Sequence, residues 1–431
     1  MAKVRELKAR QVLDSRGRPT VEVDVIASTG AVGRAIVPSG ASTGIHEAIE
    51  LRDPDDRRYG GLGVYRAVES VRRELGPAII GLDLDDQAAI DIRLIATDGT
   101  ANKGRLGANA VLAVSLAVAH AAAAARNEEL FIHLNRLWCD RVGPVEPRMP
   151  MPMVNMISGG LHAGGNLDIQ DVLLIPVGAR RYSDALEMIV AVYRELGTRL
   201  GKLGYESALV GDEGGYGPRL NENEQAFALL VEAIVGCGYE PKSQAGLAVD
   251  VASSHFYKPK HETYELRGNR GGCLDRAAMI DRLAEWVTDY PIISLEDGLA
   301  EDDWNGWVKL TERLGSSTQL IGDDLFVTQV ARLAQGIERG AGNAVLIKLN
   351  QVGTLSETFD TMKLARDHGF RTVVSARSGE TEDSTIADLA VATAAGQIKI
   401  GSVARSERLA KYNRLLRIEE ILTDAALSPI T

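Results

Sequence analysis

The sequence predicts an α/β protein in two parts: an N-terminal α+β domain over residues 1–140, capping a (β/α)8-type barrel over residues 141–431. Three observations carry that expectation. The first 40 residues alternate in period two, as in Val21-Glu22-Val23-Asp24-Val25, bounded by Gly17/Pro19 and Thr29-Gly30, which is the pattern of an antiparallel meander. From Val64 to Arg126 the period becomes helical. Beyond Arg141-Val142-Gly143-Pro144-Val145-Glu146-Pro147, whose glycine and prolines read as a linker, eight short apolar runs alternate with helical stretches.

In chain order the runs are Met153–Ile157, Val172–Val177, Leu247–Val251, Ile292–Leu295, Leu320–Ile321, Val345–Leu349, Thr372–Val374 and Ile398–Ile400. The longest apolar stretch, Ala110–Ala125, is alanine-rich, short for a bilayer span and interrupted by Ser115 and His120, so a buried helix is expected. Hydrophobic residues make up 45% of the 431 and charged residues 25%, the balance of a folded globular chain rather than a disordered one. The net charge of −11 makes general binding of nucleic acid or anionic membranes unfavourable, so an anionic substrate needs local cations. Cys139, Cys237 and Cys273 form neither a zinc pattern nor a disulfide framework, and Met1-Ala2-Lys3-Val4-Arg5-Glu6 lacks a signal-peptide core. A cytoplasmic location is expected.

The charged residues fall where a barrel does chemistry. Asp250 follows Leu247-Ala248-Val249, Glu296 follows Ile293-Ser294-Leu295, Asp323 follows Ile321-Gly322, Lys348 follows Leu346-Ile347, and Lys399 follows Ile398. Strand ends of this kind converge on one mouth. Any one of them alone reads as a loop-start or helix-cap residue; five in series do not. Three carboxylates from different strands suit a hard divalent cation such as Mg²⁺. A lysine beside them either pairs with the carboxylates or, with its pKa lowered by a cation and partial burial, serves as a general base.

Eight motifs, in order, resemble the enolase family: Pro38-Ser39-Gly40-Ala41-Ser42-Thr43-Gly44, Leu106-Gly107-Ala108-Asn109-Ala110, Gly211-Asp212-Glu213-Gly214-Gly215, Ser294-Leu295-Glu296-Asp297-Gly298, Gly322-Asp323-Asp324-Leu325, Ile347-Lys348-Leu349-Asn350-Gln351, Ser378-Gly379-Glu380-Thr381-Glu382-Asp383 and Gly396-Gln397-Ile398-Lys399. A lysine base beside Mg²⁺ is a general arrangement of that superfamily, not a deduction peculiar to this chain. The resemblance implies that Asp250, Glu296 and Asp323 bind one Mg²⁺, and that Ser42 meets a second when its loop closes. It implies Lys348 as the base, Glu213 as the group assisting the leaving hydroxyl, and Arg377 and Ser378 as holders of the phosphate. Lys399 and His162 would contact substrate, His162 from a glycine-rich mobile lid over 158–165. A small phosphorylated or phosphonylated hydroxy acid is the implied substrate, and a homo-oligomer, dimer or octamer, the implied assembly.

The chain also departs from that family. Enolases carry histidine where this chain has Ala376, and glutamate where Ile169-Gln170-Asp171 has aspartate; they usually have asparagine at the position of Ser158 and glutamate at that of His255. Shortening Glu to Asp withdraws a carboxylate by about 1 Å, a misplacement that costs on the order of 100-fold in rate. Losing an imidazole removes a proton-handling group typically worth ~10²–10⁴-fold. It also frees room for about two waters of ~30 Å³ each. Proton abstraction should survive and ordinary dehydration suffer. The expectation is an atypical member similar to the enolase-like carboxyphosphonoenolpyruvate synthases. The alternatives are an ordinary phosphopyruvate hydratase and, remotely, a non-catalytic scaffold.

Overall fold

The protein is described by a computed structural model covering residues 1–41, 44–267, 271–422 and 425–430. Strands β1 (Val4–Leu13), β2 (Pro19–Ala27) and β3 (Val32–Ile36) form the expected antiparallel meander. Its period-two pattern predicts a solvated polar face, yet Glu22 and Asp24 on β2 are buried. Arg10 stands directly opposite Glu22, and Arg34 opposite Asp24, so cross-strand guanidinium groups cover the carboxylates.

The apolar stretch forms the helix Ala108–Arg126, 83% of whose most apolar window is buried inside the protein, so its hydropathy is spent on the core. Gly33 is where the sheet meets this helix. A Cβ there would lie 2.0 Å from the Ala121 backbone nitrogen, so only glycine allows the contact, and the alanines opposite keep the helix close.

The second part is a closed barrel. Its strands are β4 (Met151–Ser158), β5 (Asp171–Ile175), β6 (Gly246–Asp250) and, after a small outer sheet of β7 (Tyr257–Lys258), β8 (Thr263–Leu266) and β9 (Gly272–Leu274), β10 (Ile292–Glu296), β11 (Gln319–Gly322), β12 (Ala344–Ile347), β13 (Arg371–Ser375) and β14 (Gly396–Gly401). Around the barrel the order is β4-β5-β6-β10-β11-β12-β13-β14, closing back on β4. Each run expected as a strand is one, and burial on both faces explains why they read as continuous apolar segments.

One strand departs from the uniform alternation. β5 is antiparallel to both β4 and β6. Between β4 and β5 the chain makes a twelve-residue loop with one 3-10 turn, Gly160–Ala163, and no α-helix, whereas two helices, Tyr182–Lys202 and Asn223–Gly236, separate β5 from β6. A parallel return needs a crossover, usually a helix, and this helix-free loop reverses the chain instead. The result is ββαα(βα)6.

The N-terminal part docks on the barrel through buried polar contacts. Asp91 accepts the Ser356 amide at 2.9 Å, Lys103 pairs with Glu357 at 2.8 Å, and Ser39 bridges to Gly379. The last contact brings residues 38–41, and with them 44–50, over the mouth.

Candidate active site

Strand register gathers the acidic residues. Asp171 pairs with Asp250, and Asp250 with Glu296, across adjacent strands. Because β5 runs backwards, its first residue rather than its last reaches the mouth, which places Asp171 beside the ends of β6 and β10. On the far side Lys399 on β14 lies in register with Ser375 of β13. Asp171, Asp250, Glu296, Asp323, Lys348, Lys399, His162 and Glu213 are all buried.

Two lysines organise the carboxylates. Nζ of Lys399 donates to Asp250 Oδ2 and to both oxygens of Glu296, each at 2.8 Å. Burial would discharge this amine, but the carboxylates outweigh it and hold its pKa well above the ordinary value. Asp250 feels the converse: burial raises its pKa, and Lys399 more than reverses that. Glu296 is pushed up by burial and by Asp250. Asp323 turns to Lys348, whose ammonium it binds directly, and accepts from Gln351 Nε2 at 2.9 Å. Of the two roles open to such a lysine, Lys348 here pairs with a carboxylate. Burial lowers its pKa, but the Asp323 charge dominates and raises it.

A second group faces these. Oδ2 of Asp171 is 2.8 Å from Nδ1 of His162, its other oxygen accepts from Asn155 Nδ2, and Nε2 of His162 stands 3.9 Å from Glu213. Burial lowers the imidazole pKa, but Asp171 and Glu213 overcome this and push it up to about 9. Asp171 is pushed up to about 6 by burial against the pull of His162. Glu213 ends below its ordinary value, since His162, Arg408 and Lys399 outweigh its burial. The two carboxylates thus favour the charged form of the imidazole between them. The turn that presents Glu213 depends on Gly214, at φ +88°, where a Cβ would meet the Ala404 carbonyl at 2.8 Å.

The remaining expected residues lie around the rim. Gln170 Nε2 donates to Asp250 at 3.2 Å, and its Oε1 has no partner among the described residues. Ala376, just past β13, donates its amide to the Lys399 carbonyl at 2.8 Å, which sets its backbone next to β14 at the end of the barrel. Arg377 is buried against Glu47 and Asn350. Ser378 Oγ accepts from the Ala41 amide at 2.7 Å and from Arg16 at 3.3 Å. Ser158 is buried and accepts from Asn155, whereas His255 is exposed. Ser42 lies outside the described residues.

Sequence reading missed several groups here. Asp297, at φ +43°, caps the amides of Asp323 and Asp324 at 2.9 Å each, and oxygens of these three carboxylates lie within 4.8 Å of one another. Atoms of His162, Asp171 and Glu213 form another such cluster. The acidic doublets Glu296-Asp297 and Asp323-Asp324 were the available signal. Glu47 and Arg16 gave none, because each acts from a loop.

Residues 146–428 match the family model for the enolase C-terminal TIM barrel domain, and residues 4–134 that for the enolase N-terminal domain. The chain belongs to the enolase family. This enolase-family barrel supports a lyase-type enzyme, and its carboxylate clusters are suited to a metal ion. Neither close cluster is the Asp250, Glu296 and Asp323 set expected from the sequence: Asp250 and Glu296 meet at the Lys399 ammonium, whereas Asp323 pairs with Lys348 and clusters with Asp297 and Asp324.

Proposed function

We propose that this enolase-family protein is a Mg²⁺-dependent lyase acting on a small phosphorylated or phosphonylated hydroxy acid, with its chemistry diverted after proton removal. Asp250, Glu296 and Asp323 would hold one ion, and Ser42 a second. Bound Mg²⁺ supplies Lewis-acid stabilisation of negative charge on the substrate carboxylate. Lys348 takes the α-proton at Nζ. To do so it has to be neutral, which requires Asp323 to be engaged elsewhere. Lys399 and His162 hold the substrate, Gln170 lines the mouth beside Asp250, and Arg377 with Ser378 grips the phosphorus group.

The reading of diverted chemistry rests on the Asp171–His162 pair next to a mouth that has alanine at position 376. The carboxylate on the leaving-group side is engaged by His162 and Asn155, and Ala376 has no proton to give. Glu213, with the His162 imidazole 3.9 Å away, is the carboxylate left there to assist a departing hydroxyl. The specific form we favour is a carboxyphosphonoenolpyruvate synthase, which joins a phosphonoformyl unit to an enolpyruvate skeleton; an alanine in place of an imidazole at 376 would leave room for the additional carboxylate. We further propose the division into domains near residue 140, a homo-oligomeric assembly and a cytoplasmic location.

The test is the ordinary enolase assay. Purified protein, Mg²⁺ and 2-phosphoglycerate are followed by the ultraviolet absorbance of the enol product against an ordinary enolase. The proposal expects turnover lower by orders of magnitude while the α-proton still exchanges with solvent. Turnover near the control assigns ordinary phosphopyruvate hydration instead. No phosphorus-containing condensation product from activated phosphonoformate and 2-phosphoglycerate would overturn the synthase assignment.

A further inference from the structure

The ion pair between Glu47 and Arg377 has no part in the steps above. Oε2 of Glu47 accepts from Arg377 Nη1 at 3.0 Å and Oε1 from Nη2 at 3.1 Å, a two-point fork. Both side chains are almost completely buried, at 7% and 2% exposure. The same carboxylate accepts the Gly44 amide at 3.1 Å and Gln351 Nε2 at 3.3 Å, while Asn350 Oδ1 steadies the guanidinium at 2.8 Å.

A guanidinium fork recognises carboxylate and phosphate oxygens with the same geometry. We propose that Glu47 is an internal counter-anion: it occupies the Arg377 fork in the free protein and yields it to a phosphate or phosphonate group. This rests on the reading that Arg377 grips the phosphorus group of the ligand. The carboxylate reports its displacement through its own segment. The amide of Ile45 donates to Glu301 at 3.1 Å and that of Ala48 to the Gln351 carbonyl at 2.9 Å, so both amides belong to the stretch that Glu47 ties down. A ligand that must first displace an internal competitor binds with an affinity reduced by the fraction of protein in which the fork is free.

The test uses the full chain and inorganic phosphate. Calorimetric titration of wild type, Glu47→Gln and Arg377→Gln is paired with amide hydrogen exchange with and without phosphate. Glu47→Gln should bind phosphate about tenfold tighter, and in wild type phosphate should speed exchange at Ile45 and Ala48. In Glu47→Gln those amides should exchange fast without phosphate. Equal or weaker affinity in Glu47→Gln, or wild-type exchange unmoved by saturating phosphate, overturns the proposal; the exchange arm needs no variant to fold. If Arg377→Gln binds phosphate as wild type does, the assignment of Arg377 fails and the proposal with it. If Arg377→Gln loses binding while Glu47→Gln matches wild type, only the role of Glu47 fails.

Discussion

Oδ2 of Asp171 lies 2.8 Å from Nδ1 of His162, which makes a histidine of the Gly160–Ala163 turn a partner of the barrel wall. Burial lowers the imidazole pKa, but the charges of Asp171 and Glu213 outweigh it and push it up to about 9. A glutamate at position 171 would carry its carboxylate one methylene further from the strand, and a histidine at 376 would add a proton-handling group just past β13. The pair Asp171→Glu with Ala376→His should therefore raise conversion of 2-phosphoglycerate to phosphoenolpyruvate by at least about 10²-fold, taking the lower of the costs attached to each loss. Absorbance of the enol product reads this directly, and no gain would mean that these two departures do not obstruct dehydration.

Lys348 is assigned to the earlier half of the reaction, so its removal should be visible even if no product forms. Lys348→Ala is expected to slow exchange of the substrate α-proton with deuterium by ~10²–10⁴-fold, followed by proton magnetic resonance. The variant also leaves Asp323 with Gln351 as its remaining side-chain partner, so unfolding should be measured alongside. Undiminished exchange in a folded variant would remove Lys348 from the role of base.

Mg²⁺ should stabilise the fold as well as the reaction. Asp250 and Glu296 share one ammonium, and Glu296 is pushed up by burial and by Asp250, so an added cation relieves a repulsion already present. At one hundred times its dissociation constant a ligand that binds only the folded state adds about 2.7 kcal/mol. Thermal unfolding should move up with Mg²⁺ and return with a chelator, and Asp250→Asn should lose most of that increment. An unchanged midpoint at saturating Mg²⁺ would count against these carboxylates as ligands.

The parts of this site that were legible share one property. Asp250, Glu296, Asp323, Lys348 and Lys399 each come at or just after an apolar run, and in a parallel barrel every run ends at the same mouth. Asp171 breaks that rule because β5 is reversed: it precedes its run, and only the family resemblance pointed to it. Glu47 belongs to a segment without hydrophobic period, and its role depends on where the N-terminal part docks on Asn350, Gln351 and Arg377, which no local pattern encodes. Likewise, period two marked β2 as a strand but placed Glu22 and Asp24 in solvent, because arginines supplied by β1 and β3 are invisible to the pattern of β2 alone.

His133 gives a pH dependence far from the mouth. It is fully buried on the helix Leu130–Val142, with Nδ1 2.8 Å from Arg136 and 3.2 Å from Glu128, and Nε2 has no partner among the described residues. Burial first, and then the Arg136 charge, hold its pKa down at about 4, against 6.5 for the free side chain. Between those values the unfolded chain binds a proton that the folded chain refuses, so stability falls as pH falls from 6.5 towards 4. By pH 5 the loss attributable to this residue should be about 2 kcal/mol. Urea unfolding of wild type and His133→Gln at pH 7.5 and pH 5 isolates it, since other titrating groups act on both proteins alike. Wild type should lose about 2 kcal/mol more than the variant across that interval, and parallel losses would show that His133 takes up its proton in the folded state without penalty.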